Sequence, residues 1–177
     1  VDVPPLLLLA AALVSHQNGR GHVCLDLQQT LADPDASLSL PPEGDGSVMP
    51  PPRPSSILAG IDVAQWQAAL QVTLLVGTGS GNTPLVLEDT RVYLRRYWQY
   101  EQQIVQALQQ RLQHPPAVAE PVLRNIVGSL FAAPVADIGW QKIACALAAR
   151  AGFAVITGGP GTGKTTTVVK LLAVLQT

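Results

Sequence analysis

Residues 158–165, GGPGTGKT, leave the chain less freedom than any other stretch. They satisfy G-x-x-x-x-G-K-[ST] in full, a pattern that works where a strand ends and a helix begins. Backbone N–H groups can wrap a chain of phosphates only if bulky side chains stay away. Gly159, Gly161 and Gly163 meet that need and allow the unusual dihedrals of an anion-binding nest. The loop feeds a helix N-terminus, whose unpaired N–H groups and dipole favour negative charge. Lys164 places a positive charge at the β- and γ-phosphates, and the Thr165 hydroxyl is the expected Mg2+ ligand. The phosphate-binding set is therefore Gly158, Gly159, Pro160, Gly161, Thr162, Gly163, Lys164, Thr165 and Thr166, with ATP and Mg2+ as the implied cofactors.

The flanks agree with this reading. Asp137 is placed to cap a helix in which Trp140, Ile143, Ala144, Leu147 and Ala148 recur at helical spacing, and Gly152 supplies its stop. FAVIT (153–157) is a short apolar run of the kind buried on both faces in a parallel sheet. Val168, Leu171, Leu172 and Leu175 then mark the helix after the loop. Gln141 lies 23 residues before Lys164, on the upstream helix. Hydrolysis also needs an acid on another strand, a group that positions water and commonly an arginine finger. Asp62, Glu88 and Asp89 sit in helix or turn patterns and do not fill the first role. The chain starts at Val1 and stops at Thr177 inside an apolar helical run, so it reads as a fragment.

Before residue 136 the pattern is different. Residues 6–16 read as an apolar helix ended by QNGRG, and 21–27 as a short strand alternating Val23, Leu25 and Leu27. From 33 to 56, Pro41, Pro42, Pro50, Pro51, Pro52 and Pro54 predict a loop or polyproline-like insertion without helices. Asp62 is positioned to cap a helix through Val63, Trp66, Leu70 and Leu74. GTGSGNTP (77–84) reads as a flexible turn, and 84–94 as a hairpin around Glu88, Asp89 and Thr90. Helices follow over 99–112, with Ile104, Leu108 and Leu112 on one stripe, and over 121–130, with a proline near its start.

Composition excludes several classes. With 47% hydrophobic and 13% charged residues the chain can fill a core and is not a disordered one. A net charge of -1 excludes a broad basic surface that coats nucleic acid. Cys24 and Cys145 stand 121 positions apart, with neither disulfide-framework nor zinc spacing, and read as buried thiols of a reducing compartment. His16, His22 and His114 have no metal-ligand spacing. Nine apolar residues (6–14) fall short of the roughly 20 that span a bilayer. They also lack the preceding positive charge of a signal peptide, so the expectation is a soluble, cytoplasmic chain.

Taken together, WQKIACALAARAGFAVITGGPGTGKTTTVVKLLAVL, LAAALVSHQNGRGHVCLDL and TPLVLEDTRVYLRRYW resemble the RecD family, the exonuclease V alpha chains. These segments cover about half of the chain, in order. The 33–56 stretch departs from the family pattern and reads as an insertion. The resemblance implies a 5′-to-3′ DNA helicase subunit of the RecBCD helicase–nuclease, acting in double-strand-break repair and recombination beside RecB and RecC. By position it makes Lys164 and Thr165 the catalytic members of the ATP site and Gln141 an adenine contact. It implies an α/β fold: a mostly helical docking domain with a small β-hairpin over 1–135, which binds RecC, then at 136–177 the first helix, strand, P-loop and helix of a truncated RecA-like motor. DNA would be contacted mainly by residues past Thr177.

RVYLRRYW leaves three uses open. Alternation puts Arg91, Tyr93, Arg95 and Tyr97 on one face, and Val92, Leu94, Arg96 and Trp98 on the other. Such a group suits hairpin packing, docking to a protein, or stacking on single-stranded bases. For the whole chain, the readings that compete with the helicase are a non-enzymatic docking module and another P-loop ATPase of AAA type.

Overall fold

Pro5 opens α1 (Pro5–Gly19), where its missing N–H is one that the first helical turn leaves unpaired in any case. Leu7, Ala10, Leu13, Val14 and Gln17 share one side and are buried. The computed structural model describes residues 3–40, 51–72, 74–131 and 139–176. The strand expected over 21–27 shrinks to β1 (Leu25–Asp26). Its continuation is pre-empted because the Asp26 carboxylate accepts from the N–H groups of Gln28 and Gln29 and so starts α2 (Leu27–Ala32).

The helix-free expectation for 33–56 fails at both ends. α3 (Pro34–Leu38) and α4 (Pro54–Ile57) each place a proline in the first turn, the one part of a helix that tolerates it. Asp35 accepts both the N–H and the hydroxyl of Ser55, each at 2.9 Å. The Ser55 backbone bond, then its hydroxyl, hold the Asp35 carboxyl below the usual range. Pro41, Pro42 and Pro50 lie outside the described residues, as does Asp137.

Asp62 caps α5 (Val63–Ala69) as expected. It accepts from Gln65 N–H at 2.7 Å while Gln65 Oε1 accepts from Asp62 N–H at 3.0 Å. Asp62→Ala is expected to cost about 1 kcal/mol. Urea unfolding followed by far-ultraviolet circular dichroism measures it, and Asp62→Asn should recover most of the loss. The helix ends at Ala69 with Leu70 as its C-cap, and Leu74, read as its last turn, is 70% exposed. The chain leaves α5 there to enter β2 (Val76–Gly77).

The predicted hairpin is β3 (Leu85–Glu88) and β4 (Arg91–Leu94), with Leu85 opposite Leu94 and Glu88 opposite Arg91. Asp89 turns it at φ 53°, and its carbonyl accepts from Gln67 Nε2 at 2.8 Å. The sheet runs β1-β4-β3-β2, antiparallel except for the parallel β2–β3 pair. The 77–84 stretch is clamped rather than free. Arg95 Nε donates to the Thr83 carbonyl at 2.9 Å, and the rest of its guanidinium donates to the Gly79 carbonyl and the Thr83 hydroxyl. A Cβ at Gly77 would stand 2.7 Å from that hydroxyl, so only glycine admits the clamp.

Strand geometry stops at Leu94, and the two-face alternation expected over 91–98 stops with it. From Arg95 the chain is α6 (Arg95–Gln113). Val92 and Tyr93 are both buried, one on each face of β4. The predicted 104–108–112 stripe is not a core face: Ile104 and Leu112 are exposed and Leu108 is half-buried. The chain divides into two compact units, Val1–Gln102 and Gln103–Thr177. Trp66, at 0% exposure, lies at the centre of the first core among Leu25, Leu27, Leu38, Leu70 and Val92.

In the second unit, α7 (Glu120–Leu130), α8 (Trp140–Arg150) and α9 (Lys164–Leu175) close on Leu123, Val127, Cys145, Ala149 and Val174. The stripe predicted for α8 is not this face. Trp140, Ile143 and Leu147 are exposed, and Cys145 and Ala149 are buried instead. FAVIT is a further correction: 153–157 pairs with no strand among the described residues, and Phe153 and Val155 are exposed. A strand exists only through its neighbour's hydrogen bonds, and apolar composition alone does not make one. Both cysteines are free, but Cys24 is half-buried and only Cys145 is enclosed. Among the described residues no helix is long and apolar enough to cross a membrane.

Candidate functional site

Gly161 and Gly163 carry the glycine loop through left-handed backbone, at φ 76° and 77°. No L side chain adopts those angles without strain, which explains glycine at both positions. Gly163 is also the N-cap of α9, whose first turn holds no acidic residue, so the positive end of the helix dipole stays uncompensated. The Thr162 hydroxyl donates to the Gly159 carbonyl at 2.9 Å and closes the loop on itself. Lys164 Nζ reaches back over it, donating to the carbonyls of Gly158 and Gly159, both at 2.6 Å. Thr165 and Thr166 follow in the first turn of α9, exposed, as Pro160 is in the loop.

The structure brings Gln141 to this loop. Its Nε2 donates to the Thr162 carbonyl at 3.0 Å. A methyl group at Gly163 would strike the Gln141 amide, and one at Gly158 would stand 2.7 Å from the Thr162 hydroxyl. The glycines thus make room for the loop's own neighbours as well as for a ligand. Thr167 is a member that sequence reasoning missed. It is buried, and its N–H and hydroxyl both donate to the Gly163 carbonyl, at 2.9 and 3.0 Å. Its place one helical turn after Gly163 was the available signal.

A cleft of about 990 Å3 opens beside the loop, with Trp140, Gln141, Lys142, Gly158, Lys164 and Lys170 among its walls. Leu147 and Val155 give it an apolar side, so Trp140 and Leu147 of the α8 stripe face a cleft where a core face was expected. Lys170 lies over the Phe131 ring at 4.0 Å. Three lysines and a bare helix N-terminus suit a polyanion. The glycine cradle, the Lys164 amine and the Thr165 hydroxyl are of the right kinds for a nucleotide's phosphates and Mg2+. Among the described residues no acidic side chain lines this cleft. Asp62, Glu88 and Asp89 all belong to the first unit, where they serve as helix cap, partner of Trp98 Nε1 at 3.4 Å, and turn residue.

The basic–aromatic group is largely committed to its own fold. Arg91 lies 3.6 Å from Asp26, and Arg95 clamps 77–84 while sitting 5.5 Å from the Trp98 ring. Arg96 lies 4.8 Å from the Tyr97 ring, and Tyr97 meets Tyr100 edge-on.

Comparison with known proteins covers both units. A family model described as the RecBCD enzyme subunit RecD, N-terminal domain, matches residues 2–93, and one described as an AAA domain matches 141–177. The RecBCD enzyme subunit RecD of Haemophilus influenzae is 32% identical over 178 residues, covering 98% of this chain and 27% of that protein. The Mycolicibacterium smegmatis protein of the same name is 34% identical over 169 residues, covering 94% and 25%. That of Mycobacterium tuberculosis (strain ATCC 25618 / H37Rv) is 37% identical over 117 residues, covering 64% and 18%. The chain spans about a quarter or less of the length of these relatives.

Proposed function

Because the chain belongs to the RecD family, whose N-terminal domain model matches residues 2–93, we propose that it supplies the docking domain and first ATP-binding elements of a DNA helicase subunit. The observation that carries the ATP-binding half is the glycine cradle at the mouth of α9 with Lys164 folded over it and Gln141 bonded to it. In this reading the backbone of 158–163 and the Lys164 amine hold the β- and γ-phosphates. The Thr165 hydroxyl holds Mg2+, which supplies charge neutralisation when bound. Gln141, fixed against Thr162, presents its remaining amide edge to the adenine ring.

Residues 1–135 then form the docking domain toward RecC, and 136–177 begin a RecA-like motor completed by residues beyond this stretch. The parent is a 5′-to-3′ helicase of a RecBCD assembly with RecB and RecC, working in the cytoplasm on broken DNA. Nuclease activity is not assigned to this chain. The separate core of the first unit supports a docking role that needs no ATP chemistry of its own. The AAA match rests on 141–177 alone, whereas the 2–93 match favours RecD over an AAA-type ATPase.

The experiment is steady-state ATP hydrolysis by the full-length protein with and without single-stranded DNA, together with strand separation of duplexes bearing a 5′ or a 3′ tail. Expected is DNA-stimulated hydrolysis and unwinding from the 5′ tail. Hydrolysis indifferent to DNA, or unwinding from the 3′ tail only, would overturn the reading.

A further inference from the structure

The first unit contains a second, polar cavity of about 350 Å3, remote in sequence from the glycine loop. Gln17, at the end of α1, is 6% exposed and lines it. Its Nε2 donates to the Ser37 carbonyl at 2.8 Å, but its Oε1 is buried and receives no hydrogen bond. Glu101 on α6 lines the same cavity, and its Oε2 is likewise buried and without a donor. Buried acceptors are nearly always satisfied, so two on side chains that line one cavity mark an unmet requirement for hydrogen-bond donors.

The charges facing the cavity give the sign of the missing donor. Asp26, Glu101 and Arg91 line it, with His22 at its exposed edge. Asp26 is already committed to Gln28, Gln29, Thr90 and Arg91. Arg91 is held by Asp26 and lies beside the Tyr93 hydroxyl. That leaves the Glu101 carboxylate and the Gln17 carbonyl oxygen, one charged and one neutral acceptor on two different elements. A planar guanidinium, with five N–H groups in a fixed fork, serves two such acceptors better than a point ammonium. Among the described residues no three His, Cys, Asp or Glu side chains are grouped to hold a metal. At the mouth, Val23 is 51% exposed, an apolar surface that a polypeptide backbone would cover.

We propose that this cavity receives an arginine side chain of a partner protein, its guanidinium donating to Glu101 Oε2 and Gln17 Oε1. The site is independent of the ATP chemistry and adds one anchoring contact to the docking role.

Cys24 lines the same cavity and reports on its occupancy. Burial pushes its thiol up, so alkylation is followed at alkaline pH, and the enclosed Cys145 of the second unit, which should react only on unfolding, shows that the fold is intact. The probes are the capped tripeptides Gly-Arg-Gly and Gly-citrulline-Gly, the second carrying a neutral urea of the same shape. In the intact protein, millimolar arginine peptide should slow Cys24 alkylation and the citrulline peptide should not, and Cys145 should be unaffected by either. Glu101→Gln should weaken the protection about tenfold, the scale of one charge-assisted hydrogen bond. Equal protection by both peptides, no protection by either, or full protection in Glu101→Gln would each overturn the proposal. The two-peptide comparison needs no variant, so it stands even if the substituted protein folds poorly.

Discussion

Lys164→Ala is expected to lower ATP turnover of the full-length protein by about 10²- to 10³-fold, the scale for removing one preorganised donor to a developing charge. The amine donates only to the carbonyls of Gly158 and Gly159, both in exposed residues. Losing it therefore strands no buried group, and the folding cost should stay within about 0.5 kcal/mol, as for ordinary surface changes. Turnover and assembly separate on that basis. Steady-state hydrolysis with single-stranded DNA should collapse, while co-elution with RecC should match that of the unsubstituted protein. Wild-type turnover in this variant would remove the glycine loop from the chemistry. Loss of co-elution would instead place Lys164 in the docking surface.

Trp66→Ala is the substitution expected to harm folding most. The side chain is fully enclosed, and its Nε1 donates to the Leu6 carbonyl at 3.0 Å, tying α5 to α1 across the first core. Removing a buried tryptophan typically costs about 3–5 kcal/mol, a large share of the 5–15 kcal/mol that holds a domain together. Trp66→Phe keeps most of the apolar area and loses the hydrogen bond, so about 1 to 2 kcal/mol is expected. Hydrogen exchange resolves the two cases by residue. In Trp66→Ala, amides of α1, α5 and the sheet should lose protection, and those of α7 to α9 act as reference. Undiminished protection in α1 would show that Trp66 does not hold the first core.

What the sequence disclosed was local chemistry. The glycine pattern at 158–165 is a demand on individual backbone angles, and Gly161 and Gly163 meet it in the structure. The Asp62 cap and the 85–94 hairpin are likewise set within a few residues, and both formed where expected. Elements defined by distant partners were hidden. FAVIT has strand composition, but pairing decides, and none of the described residues pairs with it. The parallel β2–β3 pair and the Arg95 clamp on 77–84 join positions whose relation no short-range pattern encodes. The proline density of 33–56 misled because the helical reading of proline depends on position: in a first turn, as at Pro34 and Pro54, it starts a helix that it would break further in. At the site, Gln141 stands out only through the family resemblance, and Thr167, for which the one-turn spacing from Gly163 is the sole clue, does not stand out; both bond to carbonyls, which residue types do not mark.

The way the three arginines of 91–96 are held also governs how the first unit should respond to ionic strength. Arg91 is closed on Asp26, Arg95 on the carbonyls of Gly79 and Thr83, and Arg96 on the Tyr97 ring. Only the Arg91 charge meets an opposite one; Arg95 and Arg96 are positioned by neutral groups and keep their positive charge, which is screened beyond a Debye length of about 8 Å in physiological salt. Nucleic acid held through free cations is shed steeply as salt rises, because binding there is driven by counterion release. A partner seated on this face by shape and aromatic contact would depend on salt far less. Salt thereby becomes a variable that sorts the uses left open for 91–98: binding that falls steeply as salt rises marks nucleic acid, and binding that endures marks a protein partner.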